Sequence, residues 1–338
     1  MSEHPIGPAS AAVTVSPLGR TDVERAAREL AGRVWRTPVV RCEPLDAVAG
    51  AHLWLKAENL QRGGSFKVRG ALLAVDELAR AGSRGVIAQS TGNHAIAVAL
   101  AAREHRLPAT LVLPSDAPPT KIRRIRETGA EVVTAGTLLS ERTAVVAELR
   151  ERHGYDPVDP YQNPRVVLGQ ATATAELLGQ VAAEGVRLDA VVVPVGGGSA
   201  VAGACLATGR SGPAVIGAEP EAVPALTAAL DAGRPVTVPA RYTVADGLRP
   251  DRIGALPFDL ARRGVTSVVT VREEAIIDAL RAAFLRARLV IEPAAATALA
   301  AALAHAADHG GEVGVLLSGG NVEPGLVASL LAGRDSPV

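Results

Sequence analysis

Glu58-Asn59-Leu60-Gln61-Arg62-Gly63-Gly64-Ser65-Phe66-Lys67-Val68-Arg69-Gly70-Ala71 is the stretch whose reading decides the fold. Its lysine lies between Phe66 and Val68, shortly after two glycines that permit tight backbone turns. A surface lysine usually has polar neighbours; this one is flanked by apolar side chains. Removal from water lowers a lysine's pKa, and the neutral amine is a nucleophile able to form a Schiff base. The same residues also suit a lysine that snorkels from the first turn of a helix. Locally the two readings stand level.

Three more motifs follow apolar runs. Ser90-Thr91-Gly92-Asn93-His94 comes after Val86-Ile87-Ala88 and before a helical stretch. Free N–H groups at a helix start attract anions, so this loop suits a carboxylate. Plain capping by Ser90, Thr91 or Asn93 is the simpler alternative. Pro194-Val195-Gly196-Gly197-Gly198-Ser199 joins a buried strand to a helix. Consecutive glycines let N–H groups converge on a phosphate, or merely form a tight turn. Leu316-Leu317-Ser318-Gly319-Gly320-Asn321 ends the last strand, and ligands in open parallel sheets bind beyond the carboxyl ends of strands. A glycine turn with a capping serine is the alternative there.

Taken together, these motifs resemble the pyridoxal-phosphate (PLP) dependent serine/threonine dehydratase family, of the tryptophan-synthase-β fold type. The resemblance covers about residues 25–325. It implies an α/β protein with two open parallel-sheet domains, helices on both faces and PLP in the cleft between them (fold type II). The large domain is expected over residues 1–82 and 160–338, and a small substrate-carboxylate-binding domain over 83–159. The resemblance makes Lys67 the residue that carries PLP, with Phe66 against the ring. It assigns Ser90, Thr91, Gly92, Asn93 and His94 to the substrate carboxylate, and Asn93 also to the cofactor's 3-hydroxyl oxygen. Gly196, Gly197, Gly198 and Ser199 would hold the phosphate; Ser199 stands where the family usually has a fourth glycine. Ser318 would face the pyridine nitrogen, and as a neutral group it would not force a proton there, which suits rapid β-elimination. Val244-Ala245-Asp246-Gly247-Leu248 and Ile291-Glu292-Pro293 resemble segments that line the cofactor pocket, which adds Gly247 and Glu292. Asp246 and Glu292 serve equally well as turn or helix-start residues.

The function implied is an ammonia-lyase that converts a β-hydroxy amino acid, by default L-threonine or L-serine, to a 2-oxo acid and ammonia. Lys67 would take the Cα proton. The alternatives are a serine or related racemase, a 3-hydroxyaspartate dehydratase, and a PLP-binding protein without turnover; the intact Lys67 and Ser318 argue against the last. Dedicated dehydratases often have alanine at the place of Thr91, whereas racemases have a serine that reprotonates Cα from the face opposite the lysine. Thr91 keeps the hydroxyl on a branched Cβ that restricts χ1. It therefore joins Lys67 as a candidate catalytic residue, with dominant elimination and slow racemisation expected. Glu219-Pro220 begins a divalent-cation pattern of several members, but the second acidic place is Ala225. One carboxylate is a poor hard-cation site, so no metal is expected.

Composition bounds the rest. At 338 residues the chain exceeds the usual single domain. Apolar residues make up 48% and aromatic ones only 2%, so Ala, Val and Leu must build the core. Lys+Arg and Asp+Glu balance at 35 each, which speaks against nucleic acid or a membrane surface as partner. The expected partners are a small amino-acid substrate and a second copy in a homodimer. Cys42 and Cys205 have no metal-ligand spacing, and a reduced, cytoplasmic chain is the simple reading. No targeting segment is visible. Val290 to Ala304 is interrupted by Glu292 and Pro293 and is too short to span a bilayer. Few residues follow the Ser318 motif, so no C-terminal regulatory domain and no allosteric inhibition by isoleucine are expected.

Along the chain, Thr21-Asp22-Val23-Glu24 reads as a capping box. Val23, Ala27, Leu30 and Val34 share a helical face that Thr37-Pro38 ends. Leu53, Leu55 and Ala57 mark a strand. From residue 83 strands and helices alternate: Val86–Ala88, helix Asn93–Arg106, Thr110–Leu113, a helix from Pro119 closed by Gly129, Glu131–Thr134, then a helix capped by Ser140 and running to about His153. Tyr155 to Pro164 carries three prolines and reads as an irregular crossing. Beyond it come a helix over Val166–Val181, strands at Asp189–Val195, Val215–Ala218, Val265–Val271 and Val313–Leu317, and helices over Glu273–Arg288, Pro293–His309 and from Pro324. Alternation without hairpin signals argues for parallel sheets covered on both faces.

Overall fold

Short runs of β-branched and small apolar residues, each followed by a helix, build two separate sheets. The computed structural model describes residues 18–332 except 91, 116, 118, 137, 138 and 240. The chain begins with α1 (Arg20–Leu30), β1 (Val39–Val40), α2 (Glu43–Ala49), β2 (His52–Ala57), two 3-10 turns (Glu58–Leu60 and Arg62–Gly64) and α3 (Lys67–Arg80). Next come β3 (Val86–Gln89), α4 (Asn93–Glu104), β4 (Ala109–Leu113), α5 (Pro119–Arg126), β5 (Glu131–Thr134), α6 (Leu139–His153) and β6 (Asp156–Pro157). The chain continues with α7 (Pro164–Ala183), β7 (Ala190–Pro194), α8 (Ser199–Thr208), β8 (Ala214–Pro220), α9 (Ala225–Ala232) and a 3-10 turn (Asp246–Leu248). The last elements are α10 (Ala255–Gly264), β9 (Val265–Val271), α11 (Glu273–Leu285), α12 (Pro293–His309), β10 (Glu312–Leu317) and α13 (Pro324–Leu331).

The larger sheet has six strands in the order β1-β2-β10-β7-β8-β9, and the smaller has four in the order β5-β4-β3-β6. All pairings are parallel, except that the edge strand β1 runs antiparallel to β2. Leu317 of β10 pairs with Ala57 of β2, and Val313 with Ala190 of β7. The carboxyl ends of β2, β10 and β7 are therefore neighbours, although they lie far apart in sequence. Among the described residues no helix is long and apolar enough to cross a membrane.

The structure corrects several expectations. The capping box lies two residues earlier: Gly19 is the N-cap of α1, and Asp22 accepts from its N–H at 2.9 Å. Glu24 pairs instead with Arg20. Ala26 rather than Ala27 completes the buried face, and the helix stops at Leu30, ahead of Gly32 at φ 75°. Ser140 falls inside α6, which begins at Leu139. The proline-rich crossing is partly regular, because Asp156 and Pro157 pair with Val86 and Ile87 as an edge strand, where proline is tolerated. Helices α2, α9 and α10 went unread; their apolar faces are short, and flanking prolines and glycines resemble loop signals.

Helix α7 holds the architecture together at backbone contact. A Cβ on Gly169 would lie 2.4 Å from the Gly70 Cα, and one on Gly203 would lie 2.7 Å from the Ala171 nitrogen. Only glycine allows such approach, so α3 and α8 are both drawn onto α7. Beneath them lies an ionic core. Arg69 donates from Nε and Nη2 to Glu58 at 2.8 and 2.8 Å, and from Nη1 to Glu176 at 2.8 Å. Both Arg69 and Glu58 are fully buried. Lys56, also buried, donates to Glu176, Gln180 and the Thr37 carbonyl at 2.9, 2.7 and 2.8 Å. Removing one partner from a buried ion pair strands the other charge and costs about 3–5 kcal/mol. Arg69→Met is therefore expected to lower unfolding free energy by about that amount in urea titration. Adding Glu58→Gln to Arg69→Met should recover part of the loss, because one stranded carboxylate is then neutral.

Candidate active site

Lys67 is the first residue of α3, and its own loop fixes its place. β2 ends at Ala57, and two 3-10 turns follow, with Gly63 and Gly64 at φ 74° and 76°. A side chain on Gly64 would lie 2.3 Å from Asn321 Oδ1. The Phe66 N–H donates to the Ser318 carbonyl at 3.0 Å, and Ser65 bridges Gly319. The lysine loop is thereby locked to the loop after β10. Lys67 Nζ reaches the Pro160 carbonyl and Ser199 Oγ, each at 3.3 Å, and lies 5.1 Å from the Phe66 ring centroid. Burial lowers its pKa from the ordinary 10.5 to about 8, opposed by the carboxylates of Asp159 and Glu292.

The Ser90–His94 loop opens α4 beyond β3. Gly92 is the N-cap and makes no side-chain cap, so neither Ser90 nor Asn93 holds the cap position. Ser90 Oγ accepts from the Gly92 N–H at 3.3 Å. The first-turn N–H groups of α4 are left for an anion. The His94 ring is buried and bonds the Val158 carbonyl from Nε2 at 2.8 Å. A carbonyl only accepts, so Nε2 carries the proton. Burial and the nearby Lys67 charge push the ring's pKa down to about 4. The neutral ring therefore serves the 158–160 strap, and the backbone N–H is the part of His94 suited to a carboxylate. Thr91 lies outside the described residues.

The glycine loop after β7 leads into α8. Gly198 is the N-cap at φ 98°, again with no side-chain cap, and Ser199 is the first helical residue. A Cβ on Gly197 would lie 2.2 Å from the Tyr161 ring, and one on Gly198 would lie 2.7 Å from Pro257. A Cβ on Gly196 would meet the Gly247 carbonyl at 3.0 Å. The Gly247 turn thus lies against this loop.

The loop after β10 completes the ring of elements. Ser318 is buried. The Glu292 N–H donates to the Gly319 carbonyl at 2.9 Å, and the Gly320 N–H to the Gly64 carbonyl at 2.9 Å. A Cβ on Gly319 would lie 2.6 Å from Glu292 Oε1 and 3.1 Å from Asn93 Nδ2. Asn93 donates to both carboxylate oxygens of Glu292, at 2.8 and 2.9 Å. Lys67, the α4 start, the glycine loop, Gly247, Glu292 and Ser318 thus meet at one cleft. Sequence reasoning missed the strap of Asp159, Pro160 and Tyr161, and the amide of Asn321. The strap lies within the Tyr155–Pro164 crossing, which was read only as an irregular connection; Asn321 was quoted in its motif but given no role. Glu219, considered as a cation ligand, instead accepts from the Leu226 and Thr227 N–H groups at 2.8 and 2.9 Å and caps α9.

Comparison with known proteins places this geometry in a family. A family described as "Pyridoxal-phosphate dependent enzyme" matches residues 30–319. The chain is 39% identical over 316 residues to an L-threo-3-hydroxyaspartate ammonia-lyase of a Pseudomonas species, covering 92% of this chain and 98% of that protein. It is 36% identical to an L-threonine ammonia-lyase of Thermotoga maritima, covering 92% of this chain and 77% of that protein. The structure of maize serine racemase superposes with a TM-score of 0.87 at 31% identity, covering 94% of this chain and 98% of that chain. The two-sheet architecture is therefore fold type II, as the motifs implied.

The depressed pKa gives a direct check on the lysine. In protein freed of cofactor, reaction of Lys67 with an amine-acylating reagent should rise with pH around a midpoint of about 8 and be absent in Lys67→Ala. The sign follows from burial disfavouring the ammonium: the reactive neutral amine is populated above that midpoint. A midpoint near the ordinary 10.5 would show that the amine is solvated.

Proposed function

The chain belongs to the family of pyridoxal-phosphate dependent enzymes, and within it we propose a β-eliminating ammonia-lyase that turns a β-hydroxy amino acid into a 2-oxo acid and ammonia. The observation that carries the reading is the desolvated Lys67 amine held 3.3 Å from Ser199 at the start of α8 and facing the same cleft as the start of α4. The residues present fit PLP. The glycine loop's backbone is packed so closely against Gly247, Tyr161 and Pro257 that a Cβ would collide there, and its donors are backbone N–H groups and the Ser199 hydroxyl. Such a donor set suits a phosphate. Lys67 would hold the cofactor's aldehyde carbon, Gly196–Ser199 its phosphate and Ser318 its ring nitrogen.

When bound, PLP supplies an electron sink for the charge left at Cα. The chain's own residues do the rest. The first-turn N–H groups of α4 hold the substrate carboxylate and orient Cα toward Lys67. The Lys67 amine takes the Cα proton as a general base, and a pKa of about 8 suits that work near neutral pH. Ser318 is neutral and would not force a proton onto the ring nitrogen, which suits prompt elimination; the β-hydroxyl leaves as water, taking up a proton to balance the one Lys67 removes from Cα. The released enamine hydrolyses to the 2-oxo acid and ammonia. Residues 83–159 act as a small domain that closes on the substrate and excludes water, with 1–82 and 160–338 as the large domain. The two ammonia-lyase relatives support this reaction type.

A second reading, amino-acid racemisation, is supported by the likeness to maize serine racemase and by the hydroxyl of Thr91. It requires a proton donor on the face opposite Lys67. Elimination should dominate, because the branched threonine restricts where that hydroxyl can point.

Purified protein should be yellow, with an absorbance band that borohydride bleaches and that Lys67→Ala lacks. A substrate screen that detects both oxo acid and enantiomer should find oxo acid from L-threonine, L-serine or L-threo-3-hydroxyaspartate. Thr91→Ala should keep most of the ammonia release, and Thr91→Ser should raise any racemisation. Loss of elimination in Thr91→Ala with PLP and substrate still bound would place the hydroxyl in the elimination step. Enantiomer without oxo acid would favour the racemase.

A further inference from the structure

Arg124 is an exposed residue of α5, on the smaller sheet, and it donates from Nη1 to Asn321 Oδ1 at 3.0 Å. Among the described residues it has no carboxylate partner. Asn321, on the larger sheet's side, spends both amide hydrogens: Nδ2 donates to the Gly63 carbonyl and to Asn93 Oδ1, each at 2.8 Å. Asn93 in turn donates to Glu292 at 2.8 and 2.9 Å. The chain of bonds runs from a guanidinium through two amides to a carboxylate, and it crosses the cleft between the two sheets.

The ends dictate the middle. A guanidinium only donates and an ionised carboxylate only accepts. Turned over, the Asn321 amide would set its oxygen against the Gly63 carbonyl and Asn93 Oδ1, and its nitrogen against Arg124. Turned over, the Asn93 amide would set oxygen against Glu292 and nitrogen against Asn321. One orientation of both amides satisfies every group, and chains of this kind polarise one another in a low-dielectric site. Asn93 is also the first residue of α4, so whatever holds its amide also holds the helix start that faces the substrate carboxylate.

We infer that Arg124 is a positioning residue, acting through Asn321 to fix the Asn93 amide and the first turn of α4 across the cleft. Its meaning for catalysis rests on the reading of the cleft as a PLP and substrate site. Asn321→Asp discriminates the relay from a local contact. The aspartate still accepts from Arg124, and more strongly, but has no N–H for Gly63 or Asn93.

The test uses two readouts on folded variants with matched melting temperatures. The first is hydrogen exchange of the Ile96 and Ala97 amides, which close the first turn of α4 onto Gly92 and Asn93, in cofactor-free protein. Arg124→Ala should speed it by about five- to tenfold, the net worth of one ordinary, solvent-exposed hydrogen bond. Asn321→Asp should do at least as much, Arg124→Lys should restore most of the protection, and Arg124→Ala combined with Asn321→Ala should go no further than Asn321→Ala alone. The second is the pH titration of the bound cofactor's absorbance, which should move in the same direction in Arg124→Ala and Asn321→Asp. Wild-type exchange in Arg124→Ala, full protection in Asn321→Asp, or additive effects in the double variant would each overturn the relay. A wild type that takes up no PLP would refute the functional reading instead, and the exchange experiment would still decide the relay.

Discussion

Arg69 is the constraint on which the active cleft depends. Its guanidinium is buried between Glu58 and Glu176, and those two carboxylates belong to elements that would otherwise be independent. Glu58 begins the 3-10 turn after β2, and Glu176 lies on α7. Lys67 sits two residues before Arg69, between the turn and the helix that the arginine ties together. A buried charge of this kind demands full satisfaction, because an unpaired one costs several kcal/mol. The geometry that satisfies Arg69 is thus the geometry that aims Lys67. The Thr37 hydroxyl reinforces it by donating to Glu58 at 2.5 Å, and Lys56 neutralises the second carboxylate.

Strand order converts this local fixation into a site. β2 and β10 are neighbours, and β7 follows β10. The lysine loop, the Ser318 loop and the glycine loop leave the sheet from adjacent carboxyl ends, as the general rule for open parallel sheets requires. Helix α7 then sets their depth. Its glycine contacts with α3 and its backbone contact with α8 remove the thickness of a side chain from both interfaces. Lys67 at the start of α3 and Ser199 at the start of α8 come within 3.3 Å because both helices rest on the same third helix. The smaller sheet shares that packing: Leu72 and Val75 of α3, Val98 of α4 and Leu111 of β4 belong to one apolar cluster with Val166 of α7.

Much of this was legible in the sequence. The strands Glu131–Thr134 and Val265–Val271 and the helix Pro293–His309 were read with their final bounds, because composition and proline or glycine punctuation agree at those places. The loops carrying Lys67, Ser90, Gly196 and Ser318 were legible because each is a strand–turn–helix junction with glycines where the backbone must approach closely. What was not legible depends on tertiary contact. Nothing local to Asp159 or Pro160 announces that a peptide carbonyl there meets Lys67. His94 looked like a carboxylate ligand, and only burial against Val158 shows its ring turned to the strap. Lys56 and Glu176 are 120 positions apart and read as ordinary surface charges until the fold buries the lysine completely. The edge strand β6 was hidden by its prolines, which argue against a central strand but not against an edge.

The charge balance around Lys67 ties these levels together. Burial alone disfavours its ammonium, and it is the carboxylates of Asp159 and Glu292 that keep the pKa at about 8 rather than lower. Those two residues come from opposite sides of the cleft. Asp159 lies on the strap that leaves the smaller sheet, and Glu292 is the N-cap residue of α12, which packs on the larger one. The basicity of the lysine is thus not a property of its own loop. It is set by how closely the two sheets' connections approach each other, and Glu292 is itself held by Asn93 at the start of α4. A cleft that opened would carry Asp159 and Asn93 away from Lys67 and Glu292 together, and would let water reach the amine. Water and lost carboxylates act on the pKa in opposite directions, so the value of about 8 goes with the arrangement in which Asp159 and Glu292 both stand near the buried amine. The pKa suited to proton abstraction and the geometry suited to gripping a carboxylate therefore arise from the same approach of the two sheets.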